Sequence, residues 1–187
     1  MQRQKCIIAC RVFEDEFRAV MPEDADLEIT WISAGLHADP DALHLELERA
    51  LSKRGEQEMD IRIIFGTGCD PEIHRLALRY GATTAGVKNC IEAFCGDRQK
   101  ELEANRTMVM TPGWIRAWPE IMEAQGWDEV DVRMNMGRYD RILLLDAGIN
   151  PMSDEELIEF FDLVQIPVEV ETLDLGLFRE NLIKALA

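Results

Sequence analysis

The chain has 187 residues, enough for one domain with a substantial core, and carries 36 acidic against 20 basic residues. A net charge of −16 excludes nucleic acid and anionic membranes as expected partners. Arg3 and Lys5 precede Cys6–Cys10, an apolar run too short for a secretory signal core, and no run approaches the roughly 18 residues that span a bilayer. The expected location is the cytoplasm, where five cysteines read as reduced thiols, metal ligands or buried packing rather than disulfides.

Lys5–Cys10 is a short apolar strand, and Phe13, Phe17, Val20 and Met21 predict a helix over 13–21, closed by Pro22, Glu23 and Asp24. Leu27–Ala34 is a second strand, rich in β-branched and aromatic residues. A turn over 35–40 follows, with Asp39 as N-cap and Pro40 opening a helix over 40–54. Asp60–Cys95 reads as strand, glycine-rich turn, helix, strand and helix. Its first strand is Ile61–Phe65, broken by Gly66-Thr67-Gly68-Cys69. Its second ends at Lys88-Asn89-Cys90, and the following helix reaches Ala104 with a break at Gly96.

Thr107–Thr111 is extended, and Pro112-Gly113 opens a helix that Pro119 kinks or restarts. A short helix over 128–136 follows. Arg141–Asp146 is a buried strand, Ser153 with Glu156 forms a capping box for a helix over 154–164, and 167–172 alternates as an edge strand. A last helix covers 176–186. This alternation predicts an α/β fold: one three-layer, doubly wound domain over 1–187, a largely parallel sheet with helices on both faces. Strand order is not readable from the pattern.

Parallel strands carry their ligands at the carboxyl ends. Cys10, His37, Cys69 and Cys90 follow the first four strands, so a parallel sheet brings them to one rim. Three thiolates and an imidazole are a tetrahedral set for zinc, and Cys with His also suits iron. Three of them alone, such as His37, Cys69 and Cys90, leave a position open to substrate or water. Core packing is the competing reading for each thiol, and it is the preferred one for Cys6 and Cys95. His37 competes with a turn role, and His44 and His74 read as surface residues. Glu16 and Asp146 are candidate supporting carboxylates, whereas Asp39 and Asp70 are explained as helix caps.

The Gly66-Thr67-Gly68 turn lacks the remainder of a dinucleotide fingerprint, and no P-loop lysine follows. The two glycines read better as making room for a metal or ligand beside Cys69. Trp114 and Trp118, four apart on a helix, are either core or an apolar lid over the rim.

Several of these residues carry a resemblance: Ala9-Cys10 followed by Glu16, Leu36-His37 with Pro40 and Leu43, Gly66-x-Gly68-Cys69, Asn89-Cys90 ahead of Cys95-Gly96, Thr111-Pro112-Gly113-Trp114, Asp146-x-Gly148 and Asp174-x-Gly176. The chain resembles a prokaryotic family known only as a domain of unknown function, common in methanogens and anaerobic bacteria and often encoded near corrinoid-dependent methyltransferases. Asp70 and Asn89 depart from the family pattern, which has glycine and aspartate there. The resemblance implies a shared site at Cys10, His37, Cys69 and Cys90, and methyl-group metabolism by analogy.

The expected function is therefore a zinc or iron protein of one-carbon metabolism, enzyme or accessory, acting on a small molecule such as a thiol or a corrinoid, with a possible protein partner in methyl transfer. The metal would lower the pKa of a bound thiol substrate. The alternatives are a metal-free cysteine enzyme with His37 as base, and a non-catalytic module that binds a small molecule or a protein.

Overall fold

The computed structural model describes residues 4–21, 27–56 and 59–186. Pro22, Glu23 and Asp24, expected to close the first helix, lie outside the described residues. The strands are β1 (Lys5–Cys10), β2 (Leu27–Ile32), β3 (Asp60–Ile64), β4 (Thr83–Thr84), β5 (Thr107–Met110), β6 (Arg141–Asp146) and β7 (Val168–Thr172). The helices are α1 (Glu14–Val20), α2 (Pro40–Gly55), α3 (Ile73–Tyr80), α4 (Cys90–Cys95), α5 (Arg98–Ala104), α6 (Pro112–Gln125), α7 (Glu129–Met136), α8 (Asp154–Val164) and α9 (Gly176–Leu186). Strand pairing is parallel throughout, with helices against the sheets, as the alternation predicts.

The strands divide between two sheets, ordered β2-β1-β3-β4 and β5-β6-β7. In the first sheet the chain runs from β1 outward to β2, then returns to pair β3 on the other side of β1. This reversal makes the carboxyl ends of β1 and β3 the switch point where an open α/β sheet forms its crevice. Cys10 and the turn carrying Cys69 lie at that point.

The buried β1 residues Ile7, Ile8 and Ala9 and the β3 residues Ile61, Ile63 and Ile64 explain why these two strands are central: they are covered on both faces. A second core gathers Met110, Ile115, Trp118, Ile142, Leu144 and Phe160 around the second sheet. The two cores share a boundary, because Val109, Leu143 and Leu145 point from the second sheet into the first core. Helix α9 also returns to the first unit. Its Phe178 stacks on Phe94 and Phe13 at 4.7 and 5.6 Å between ring centroids.

Several local expectations change. The fourth strand does not reach Cys90: β4 is two residues long, and Gly86 at φ +71° turns the chain off the sheet after Ala85 N–H bonds the Ile63 carbonyl. Residues Ala34–Ala38 form a 3-10 helix rather than a simple turn, with the Ser33 hydroxyl accepting from Gly35 N–H at 3.1 Å. The first helix lies within its expected range and follows a 3-10 turn over Arg11–Phe13. Pro119 does not restart a helix. It sits at an exposed position within continuous α6 and removes one amide from the ladder. The break at Gly96 between α4 and α5 is as expected, at φ +55°.

Candidate functional site

Each thiol is delivered by a different junction after a strand. Cys10 is the last residue of β1 and is buried; burial pushes its thiol up to about 12. Cys69 is half-buried in the turn after β3, where its N–H donates to the Gly66 carbonyl at 3.0 Å; burial raises its pKa too. Cys90 is the first residue of α4 and lies well above the ordinary thiol range, chiefly through burial. The three are electrostatically coupled. A charge on Cys69 opposes ionisation of Cys10, and charges on Cys10 and Cys69 both oppose ionisation of Cys90. All three are thus thiols rather than thiolates at neutral pH. Cys6, fully buried within β1, and Cys95, donating to the Ile91 carbonyl at 3.3 Å, keep the packing roles expected of them.

Trp114, in the first turn of α6, donates its indole N–H to the Cys90 sulfur at 3.0 Å. The His37 ring meets the Trp114 ring edge-on, with centroids 5.3 Å apart. Surrounding protein lowers the His37 pKa, which leaves a neutral imidazole near neutral pH. Trp114 is therefore a bridge between Cys90 and His37, and part of the rim rather than buried core. No hydrogen bond joins His37 to a thiol among the described residues.

Glu16, in α1, is buried, and its Oε2 has no hydrogen-bond partner among the described residues. Burial, with the Asp15 and Asp146 charges, raises its pKa to about 7. Asp146, at the end of β6, spends its oxygens on its own turn, accepting from Gly148 N–H at 2.7 Å and Met152 N–H at 3.4 Å. Asp39 caps α2 as expected. Asp70 does more than cap: one oxygen accepts from Glu72 N–H, and the other pairs with His44 Nδ1 at 2.8 Å.

The glycines need a correction. A Cβ on Gly66 would lie 2.0 Å from the Lys88 carbonyl oxygen, and Gly68 N–H donates to that same oxygen at 2.8 Å. The glycine turn makes room for the backbone of Val87 and Lys88, which packs over it, so Gly66 is required by close approach and not by a ligand. That contact carries Asn89 and Cys90 to the rim without a long fourth strand.

A cavity of about 460 Å³ opens between the two sheets at this rim. Of the expected site residues, His37, Gly68, Cys90 and Trp114 line it, whereas Cys10, Cys69, Glu16, Gly66 and Asp146 do not. Its aromatic wall adds Trp118, Trp127 and Tyr139, with Arg138 beside them. Sequence reasoning missed these last three. Their signal was a concentration of aromatic residues over 114–139, within a chain that is otherwise acidic.

The chemistry of the donor set suits a thiophilic metal, but the spacing does not: among the described residues no group of three or more His, Cys, Asp or Glu side chains is arranged to hold a metal ion. No described helix is long and apolar enough to cross a membrane.

A family model described as protein of unknown function (DUF1638) matches residues 31–182. The chain belongs to that family. The DUF1638 match takes in His37, Cys69, Cys90, Trp114 and Asp146, while Cys10 and Glu16 precede it. The DUF1638 region thus includes the whole of the second sheet and every residue lining the cavity. No curated protein matches the chain.

Proposed function

We propose that this chain is a cytoplasmic thiol-centred protein that binds zinc or iron through Cys10, Cys69 and Cys90, with His37 as a further donor, beside a cavity that receives a small molecule. One observation carries the reading: two buried thiols and the half-buried Cys69, from the junctions after three strands, share one electrostatic neighbourhood. Each is held protonated chiefly by burial, Cys10 and Cys90 also by neighbouring sulfur charge and Cys69 by Asp70, and a metal cation is the ligand that inverts this, because coordination displaces thiol protons outright.

The same protonation weighs against the metal-free alternative. A cysteine nucleophile acts as thiolate, yet none of the three thiols has a lowered pKa, and His37 hydrogen-bonds none of them. A role as enzyme or accessory protein of methyl-group metabolism rests on the resemblance to a family encoded near corrinoid methyltransferases. In that setting a thiol or a corrinoid is the small molecule, and a methyl-transfer protein is the partner.

Elemental analysis after anaerobic purification tests the metal. Near-stoichiometric zinc or iron is expected in the wild type, falling sharply in Cys69→Ser and Cys90→Ser. A metal-free protein that takes up neither added Zn²⁺ nor added Fe²⁺ refutes it.

A further inference from the structure

The cavity between the sheets carries a second, separate set of observations. We infer that it is a binding site for a planar aromatic acid: a flat ring system bearing one carboxylate. This deepens the small-molecule half of the function proposed above and does not depend on the metal.

The shape of the ligand follows from the walls. Trp114, Trp118, Trp127 and Tyr139 line the cavity, so three of the four tryptophans in the chain converge there. Trp118 is buried, but Trp114, Trp127 and Tyr139 are only partly so, an arrangement that leaves ring surface free for a flat partner.

The indole N–H groups add nothing to this recognition: that of Trp118 has almost no accessible surface, and that of Trp114 is used by Cys90.

The single negative charge follows from Arg138. It is exposed at the cavity and lies over the Tyr139 ring at 5.0 Å, and no carboxylate pairs with it among the described residues. Most arginines of this acidic chain have such a partner, for example Arg116 with Glu156 and Arg133 with Glu129. A guanidinium left open beside aromatic faces suits a planar carboxylate. The net charge of −16 repels polyanions, which selects against nucleotide polyphosphates.

Isothermal titration calorimetry of the full chain with 6-carboxypterin and quinoline-2-carboxylate tests the inference. At least one acid should bind at one site per chain. Arg138→Ala should weaken it about tenfold, as should Trp127→Ala, which removes a partly exposed ring face from the wall. The parent ring lacking the carboxylate should bind wild type and Arg138→Ala alike. No saturable heat from either acid up to about 1 mM overturns the inference, as does binding that neither substitution weakens. The same samples are analysed for zinc and iron. Binding without metal sinks only the metal reading, and metal without binding sinks only this one.

Discussion

The Trp114 indole N–H donates to the Cys90 sulfur at 3.0 Å, tying the helix after β5 in one sheet to the helix after β4 in the other. It joins the metal-site candidates to the aromatic cavity. It also favours ionised sulfur, in opposition to the larger effect of burial.

Removing that donor gives the first expected outcome. In Trp114→Phe the Cys90 thiol rises further from the physiological range, so alkylation of Cys90 by iodoacetamide slows at every alkaline pH tested. Stability falls by about 1 kcal/mol for the lost hydrogen bond. Peptide mapping of the alkylated protein, with urea denaturation alongside, measures both.

Glu16 makes stability depend on pH. Its folded pKa of about 7 lies above the ordinary 4.5, so the folded state holds the proton more tightly than the unfolded chain does. The contribution is fully present below about pH 4.5 and is lost as pH rises through about 7, to the extent of about 3 kcal/mol. Glu16→Gln stays neutral at all pH and should be the more stable protein above pH 7. The difference in unfolding free energy between the two, followed across that window, checks the sign. Carboxylates such as Glu156, held near 2 by Arg116, titrate outside the window and cancel in the comparison.

Gly66 and Gly68 separate close approach from open space. Gly66→Ala places a methyl 2.0 Å from the Lys88 carbonyl and should cost about 3 kcal/mol or more, because backbone must move. Gly68→Ala meets the same oxygen at 3.0 Å and should be milder. Chemical denaturation midpoints of the two variants rank them; equal losses would refute the account.

The aromatic stack of Phe13, Phe94 and Phe178 anchors α9 to the first unit. Phe178→Ala should cost about 3–5 kcal/mol, since Phe178 is fully buried. Hydrogen exchange of α9 amides should rise far more than that of α7, whose buried Val132 and Met136 belong to the other core.

Much of the fold was legible because local chemistry repeats it. Buried runs such as Ile61–Phe65 and Arg141–Asp146, the capping box at Ser153 and Glu156, and Pro40 behind Asp39 each mark an element from a few neighbouring residues. The short fourth strand was not legible, because Gly86 leaves the sheet through one positive φ that its neighbours do not announce. Neither was the continuity of α6 through Pro119.

By itself, the sequence determined that strands and helices alternate, and that Cys10, His37, Cys69 and Cys90 follow successive strands. Only the tertiary structure decided that the strands form two sheets rather than one, and which of these residues meet. Parallel pairing and registry depend on residues far apart in the chain, so the pattern along it carries no strand order. The thiols share one field, and His37 meets Cys90 through Trp114 rather than directly. The aromatic cavity exists because residues as far apart in the chain as His37, Cys90 and Tyr139 meet at one place, a relation that no local spacing encodes.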